Sequence, residues 1–515
     1  MSDRSNPRIS PSRSGARTAP EIKQAGKPAA PTARSGGRSR AAAAAARPAG
    51  RPKDSAAAPR PTNDILVRTP LPGPKGMKYI QKDRLLFAGD SKPDVLPSRL
   101  VVLAAQRDGY LWDVDGNRFI DFGAGWGTNN VGHAPAEVVD AAVPLLRDFG
   151  IVCCSQGFVS YIQYELAEKL LQALPKHIQR VTFCATGTEA AEGALKFMRA
   201  ATGRPNVISF HAAYHGLSHG ALAAGPLNSH MRDTVVQATP GYIHTSYATC
   251  YRCPYHLTYP SCNVWCADYI EEYLLQYVAP PESIAGVLVE PIQGEGGIWV
   301  PPDDYLPRIE KMCRKYGWLL CIDEVESGFG RSGKMWAFEH FDVKPDIVVI
   351  GKGLSGSILP IAAIAGTPEA MAPEVAQAST YAGQPASCAA GIKALELVKR
   401  RKIVEHSARL GEVGLKRLRQ MKERYSIIGD VRGRGLFMAV EFVRDRQTKE
   451  RLFEAAKDIY IDCMNNGLYF IYDSISWFAR FLPVLDMREE MFLRGLDIFE
   501  DAVKKAEARY ARARN

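Results

Sequence analysis

Lys352 follows the apolar run Asp346-Ile347-Val348-Val349-Ile350 and stands between Gly351 and Gly353, where a chain leaves the end of a buried strand. A lysine so placed can form a Schiff base with a carbonyl cofactor, although a lysine flanked by glycines is more often an ordinary loop residue. Asp323 ends a second apolar run, Leu319-Leu320-Cys321-Ile322. A carboxylate at the end of a buried strand is costly to desolvate unless a cation or a strong donor pairs with it. An amine that holds an aldehyde, and an anion that keeps a pyridine nitrogen protonated, are the two groups pyridoxal 5'-phosphate requires.

Two further strand ends belong with these. Arg180-Val181-Thr182-Phe183 runs into Cys184-Ala185-Thr186-Gly187-Thr188-Glu189 and then into the helical pattern AAEGALKFMRAA. Small and hydroxyl residues at a helix start leave amides pointing outward with the positive end of the helix dipole, which suits a phosphate as well as a plain N-cap. Val207-Ile208-Ser209-Phe210 leads to Tyr214-His215-Gly216, where an aromatic could cover a flat ring or simply lie exposed. All four segments read as apolar strand, short polar motif, helix. That grammar predicts an α/β fold with a mostly parallel sheet whose C-terminal edge gathers the motifs into one crevice.

From about Pro72 to about Val484 the chain resembles the class III pyridoxal-phosphate enzymes of fold type I, the family of ornithine, 4-aminobutyrate and omega-aminotransferases. The resemblance is carried by DGYLWDVDGNRFIDFGAGWGTNNVGH (Asp108 to His133), TGTEAAEGALK, YHG, VEPIQGEGG, IDEVESGFGRSGK and GKG, in the family's order. It implies a large domain with a mostly parallel sheet flanked by helices, and a smaller α+β domain built from the N- and C-terminal segments. It also implies that Lys352 carries the Schiff base and shuttles the proton, and that Asp323 pairs with the pyridine nitrogen. Val325 would pack on one ring face and Tyr214 on the other, with His215 beside it. Gly187 and Thr188 would hold the phosphate. Thr380 matches the threonine that members extend to a neighbouring subunit's phosphate, so a homodimer or tetramer is expected. Arg480 matches a C-terminal arginine whose planar fork suits an alpha-carboxylate, and Glu295 the glutamate that covers it in omega-aminotransferases.

The chain departs from the family pattern in four places. Glu326 stands where many members carry the glutamine that binds the cofactor's ring hydroxyl, and a carboxylate there repels a phenolate unless one of them keeps a proton. Ala185 and Gln384 replace asparagines, and Leu217 occupies a position where arginine is common. Once substrate is joined to the cofactor, transamination, racemisation and elimination diverge only by orientation and proton delivery. The Arg480 and Glu295 pair favours a transaminase moving an amino group from an amine or amino acid to a 2-oxo acid. An amino-acid racemase or epimerase, or a lyase acting on a small amino compound such as an aminophosphonate, is the alternative.

Eleven cysteines, with no secretory apolar segment and no apolar stretch of transmembrane length, read as a reducing, cytoplasmic chain. Cys250, Cys253, Cys262 and Cys266 have a spacing compatible with zinc or an iron-sulfur centre. Their irregular inner gaps weigh against it, and no metal is expected. Gly328-Phe329-Gly330-Arg331-Ser332-Gly333-Lys334 nearly matches a phosphate-binding P-loop, but Met335 stands where that motif needs Ser or Thr. A nucleotide hydrolase is therefore set aside. A metal-stapled binding protein is set aside too, because a scaffold needs no Lys352 and Asp323.

The 515 residues, 46% hydrophobic, are ample for a large core and more than one domain. The formal charge of +10 is uneven: residues 1–60 hold 13 Lys or Arg against 3 Asp or Glu, and the remainder holds 52 of each. That segment, rich in Ala, Pro, Arg and Ser, cannot bury a core and reads as a disordered basic tail. It lacks the amphipathic face of a transit peptide, and a solvated extension is preferred over nucleic-acid binding. Trimming it is expected to leave the cofactor's absorbance intact. Beyond it, residues 61–125 read as an N-terminal segment, 126–388 as the large cofactor domain and 389–515 as the C-terminal small domain.

Overall fold

The apolar runs become strands covered on both faces. In the computed structural model the described residues are 67–87, 100–150, 158–229, 231, 239–472 and 476–511, and the tail reading for residues 1–60 lies outside them. Strands β1 (Leu103–Arg107), β2 (Tyr110–Asp113) and β3 (Arg118–Phe122) form an antiparallel run. The next seven are β4 (Arg180–Cys184), β5 (Asn206–Phe210), β6 (Tyr242–Thr245), β7 (Ile284–Val289), β8 (Leu319–Asp323), β9 (Ile347–Ile350) and β10 (Ala362–Gly366). They make one sheet in the order β4-β10-β9-β8-β7-β5-β6. Only β10 runs antiparallel to its neighbours, and the pairings from β9 through β6 are all parallel, as the strand-motif-helix grammar requires.

Alternation along each strand sends side chains into two cores. Leu320, Ile322, Val348 and Ile350 face one cluster, while Cys321, Ile347 and Val349 face another with Leu195, Phe197 and Met198 of the helix Gly187–Thr202. Burial on both sides is why these strands read as unbroken apolar runs rather than alternating ones.

Four more strands complete the fold: β11 (Ile428–Arg434), β12 (Phe437–Phe442), β13 (Leu468–Phe470) and β14 (Phe478–Phe481). β11, β12 and β14 form an antiparallel sheet, whereas β13 crosses back to pair in parallel with β3. The N- and C-terminal parts of the chain thus share a sheet. The helices Ile403–Arg424, Phe453–Asn465 and Glu489–Tyr510 pack against these strands.

The stretch Gly328–Lys334 forms turns rather than the loop-to-helix start that a P-loop needs. Arg331 is fully buried there and donates to the carbonyl oxygens of Pro483 (2.5 Å) and Leu436 (3.2 Å) and to Asn130 Oδ1 (2.8 Å). It is a structural tie between the loop and the C-terminal strands. Among the described residues, no helix is long and apolar enough to cross a membrane.

Candidate active site

Five motifs leave the C-terminal ends of β4, β5, β7, β8 and β9 on one edge of the sheet. Asp323 closes β8, and its neighbour β9 delivers Lys352 after Gly351. Asp323 is buried, and its Oδ1 accepts the Val325 amide at 2.9 Å. His215 Nδ1 lies 2.7 Å from Asp323 Oδ2, and because a carboxylate only accepts, the ring nitrogen donates. His215 Nε2 is buried with no partner among the described residues.

Val325 sits between two glycines. A Cβ on Gly187 would lie 3.1 Å from Val325 Cγ1, and one on Gly351 3.2 Å from the same atom. The phosphate-turn helix, the turn after Asp323 and the lysine turn are thereby locked together. Gly216, at φ +129°, lies so close to Thr188 that any side chain would strike the threonine hydroxyl, which pins the Tyr214-His215 loop to the helix start. At that start Thr186 accepts the Glu189 amide at 3.2 Å, and Glu189 accepts the Ala185 amide at 2.8 Å. The first helical amides, of Gly187 and Thr188, lie between these two caps.

Lys352 adopts φ +37°, a left-handed conformation that strains a residue with a side chain. Its Nζ lies 3.2 Å from Glu326 Oε2. Glu326 is buried, its Oε1 has no partner among the described residues, and the Gly294 backbone packs directly on its carboxyl. Burial raises its pKa from the ordinary carboxyl value, Lys352 opposes this and Glu295 adds to it. Glu295 behaves oppositely. Burial disfavours its charge, yet Arg480 and then Lys352 outweigh burial and hold it below the ordinary value. The pairing is direct: Arg480 Nη1 donates to Glu295 Oε2 at 2.6 Å, with the two side chains 2% and 11% exposed. The Arg480 guanidinium also lies 5.2 Å from the Trp126 ring centre. Tyr214 borders the same carboxylates; burial, then Glu295, then Glu326 push its hydroxyl pKa upward.

Nearly all the residues singled out from sequence thus converge: Lys352, Asp323, Val325, Glu326, Gly187, Thr188, Tyr214, His215, Glu295 and Arg480. Thr380 does not join this buried group and is exposed on the turn that begins at Ser379. Of the departures, Gln384 caps the helix Pro385–Arg400 by accepting the Ser387 amide at 2.8 Å, and Leu217 is exposed. Two residues escaped the sequence reading. Glu290, buried just past the end of β7, accepts the amides of Tyr214 and Gly294, each at 3.3 Å. Burial, then Asp323 and Glu326, push its pKa well up. The signal that marked Asp323, an acid closing a buried run, marks Glu290 as well. Trp126 carried no comparable signal.

Cys250, Cys253, Cys262 and Cys266 line one small pocket with Tyr247 and Tyr255. Burial, then the neighbouring thiols, push Cys250 to about 11 and Cys266 to about 12, so both are held as thiols. Among the described residues no three His, Cys, Asp or Glu side chains are grouped to hold a metal ion.

Comparison with known proteins identifies the family and the fold. Residues 94–503 match the family model described as Aminotransferase class-III. The leucine/methionine racemase of Thermococcus litoralis is 35% identical over 434 residues, covering 84% of this chain and 96% of that protein. The diaminobutyrate-2-oxoglutarate aminotransferase of Haemophilus influenzae is 33% identical over 382 residues, covering 72% and 83%. Among solved structures, an (S)-enantioselective omega-transaminase from Thermomicrobium roseum superposes with a TM-score of 0.75 at 28% identity, covering 83% of this chain and 98% of that one.

Proposed function

The chain belongs to the class III aminotransferase family, and from that premise we propose that it is a pyridoxal-phosphate-dependent transaminase acting between an amine or amino acid and a 2-oxo acid. The observation that carries transamination is the Arg480–Glu295 pair, 2.6 Å long and almost fully buried beside Lys352.

The residues present fit the cofactor. Asp323 is a buried strand-end carboxylate, Gly187 and Thr188 open a helix whose free amides suit a phosphate, and Lys352 stands on the adjacent strand end. When bound, pyridoxal phosphate supplies an aldehyde for an amine and an electron-accepting ring. Asp323, oriented by the Val325 amide and His215, would hold its negative charge against the ring nitrogen. Lys352 would accept and return the proton at the substrate's alpha carbon. Arg480 would bind an alpha-carboxylate when Glu295 swings aside, and Glu295 would keep Arg480 neutralised when a terminal amine enters. One pocket could thereby serve two unlike substrates.

Exposed Thr380 supports a homodimer in which it reaches the partner's phosphate, and the cysteine content supports a cytoplasmic location. The test is spectroscopic. The loaded protein is expected to lose its visible absorbance with an amino donor alone and regain it with 2-oxoglutarate or pyruvate. A second reading, racemisation, is favoured by the likeness to the Thermococcus litoralis racemase over 96% of its length. A two-base route would use a second proton carrier facing Lys352 across the substrate, and the titratable groups nearby are Glu326, 3.2 Å from that lysine, and Glu295 and Tyr214, which border Glu326. Absorbance that persists while an amino acid loses optical purity would replace transamination with this reading.

A further inference from the structure

Glu326 presents two unlike oxygens. Oε2 lies 3.2 Å from Lys352 Nζ, whereas Oε1 is buried with no partner among the described residues. The carboxyl packs against the backbone of Gly294 and is buried from water. Charged and titratable groups face it from every side: Lys352 after β9, Glu295 and Glu290 after β7, Arg480 on β14, Arg331 in the loop after β8, and Tyr214 after β5. Arg480 is already engaged by Glu295, and Arg331 by Asn130 and two carbonyl oxygens. Among the described residues, Lys352 is therefore the one cation in direct contact with Glu326.

That partnership cannot survive use of the lysine. As an ammonium, Nζ carries three donors and no free electron pair, so it must lose a proton before it can attack an aldehyde. A lysine that condenses with the aldehyde, both amine hydrogens leaving with the carbonyl oxygen as water, would no longer present an ammonium to Glu326. Glu326 would then be a buried carboxylate facing Glu295 and Glu290 with no cation of its own, a state that burial strongly disfavours.

We propose that Glu326 takes the proton that Lys352 gives up, and so stands as a neutral carboxylic acid in the cofactor-loaded enzyme. In this step an N–H bond of the Lys352 ammonium breaks, an O–H bond forms on Glu326, and the freed electron pair stays on Nζ. No electron is transferred, and the net charge of the pair is unchanged, so no charge has to be exported from a buried site. The acid left behind is a hydrogen-bond donor where the family's glutamine would present an amide. Glutamate can fill that position because the adjacent lysine supplies the proton. The inference rests on Lys352 holding the cofactor and is independent of whether transamination or racemisation follows.

The test is an infrared difference spectrum of the whole protein, recorded before and after loading with pyridoxal phosphate and without any substrate. Wild type is expected to gain one protonated-carboxyl C=O stretch that moves in heavy water and in protein labelled with carboxyl-13C glutamate. Glu326→Gln, a change of matching shape, is expected to lack the gained band, and Glu295→Gln to keep it. A wild-type spectrum with no gain, a band insensitive to the glutamate label, or a band that persists in Glu326→Gln would overturn the proposal. Absence of visible absorbance on loading wild type would overturn it together with the Lys352 assignment, which separates the two failures.

Discussion

Replacing Glu295 by glutamine removes the charge that faces Arg480 at 2.6 Å while keeping an acceptor of the same shape. Glutamine would still hydrogen-bond the charged guanidinium but would lose the attraction between two ions, so it would compete for Arg480 less strongly by about 1.5 kcal/mol, the low end for coupling between close charge pairs. An incoming alpha-carboxylate must displace residue 295 from Arg480, and that difference corresponds to about tenfold in affinity. The KM for the 2-oxo acid is therefore expected to fall about tenfold in the second half-reaction. The terminal-amine half-reaction should gain nothing, because Arg480 is then left with an uncompensated charge. The same substitution is expected to cost about 3 kcal/mol of stability, the lower end for removing one member of a buried pair. The lower end applies because the amide still accepts a hydrogen bond and the Trp126 ring lies 5.2 Å from the guanidinium. Stopped-flow measurement of the separated half-reactions and denaturant titration provide the two readings. An unchanged or raised KM for the 2-oxo acid would refute the idea that Glu295 and the substrate carboxylate share Arg480.

Lys352→Ala is expected to abolish the visible absorbance of the bound cofactor and to lower turnover by about 10²–10⁴-fold while leaving the circular dichroism unchanged. Retained absorbance would move the attachment point elsewhere. Asp323→Asn keeps the shape that meets His215 but removes the negative charge, and kcat is expected to drop about 10²–10³-fold with little change in KM, as for loss of one pre-aligned electrostatic contact; a drop confined to KM would count against a role at the ring nitrogen. Glu324 is a buried carboxyl whose pKa burial pushes from the ordinary 4.5 to about 8, against hydrogen bonds from the Phe338 amide and Ser327 Oγ. The folded state then holds a proton that the unfolded chain has already released, so its contribution to stability is full below 4.5 and is lost as pH rises through about 8. Melting curves across that window are expected to fall less steeply for Glu324→Gln than for wild type, and equal slopes would show that Glu324 is not the titrating group.

The parallel sheet and its motif-bearing edge were legible in the sequence because burial on both faces leaves a local trace, the unbroken apolar run, and each motif follows such a run directly. Lys352 and Asp323 were found on that signal. Glu290 carries the same signal but was passed over, since a lone acid at a strand end has no stated purpose until Tyr214 and Gly294 are seen to donate to it. Arg480 was singled out by resemblance alone, because nothing local in its strand reveals that it is buried against Glu295. The four cysteines matched a metal-site spacing only in part, and spacing along a loop does not determine whether thiols converge.

What the chain determined by itself were properties that depend on neighbours in sequence: the strand ends, the helix start at Gly187, the apolar content of the two cores and the concentration of net charge in residues 1–60. Tertiary structure decided what depends on residues far apart meeting in a dry place. The β8–β9 pairing sets Asp323 beside the Lys352 strand, β14 brings Arg480 to Glu295, and the close approach of Gly294 leaves Glu326 with lysine as its partner among the described residues. Each of these pairs acquires its energetics from exclusion of water, and water is excluded only once the whole fold has closed around it.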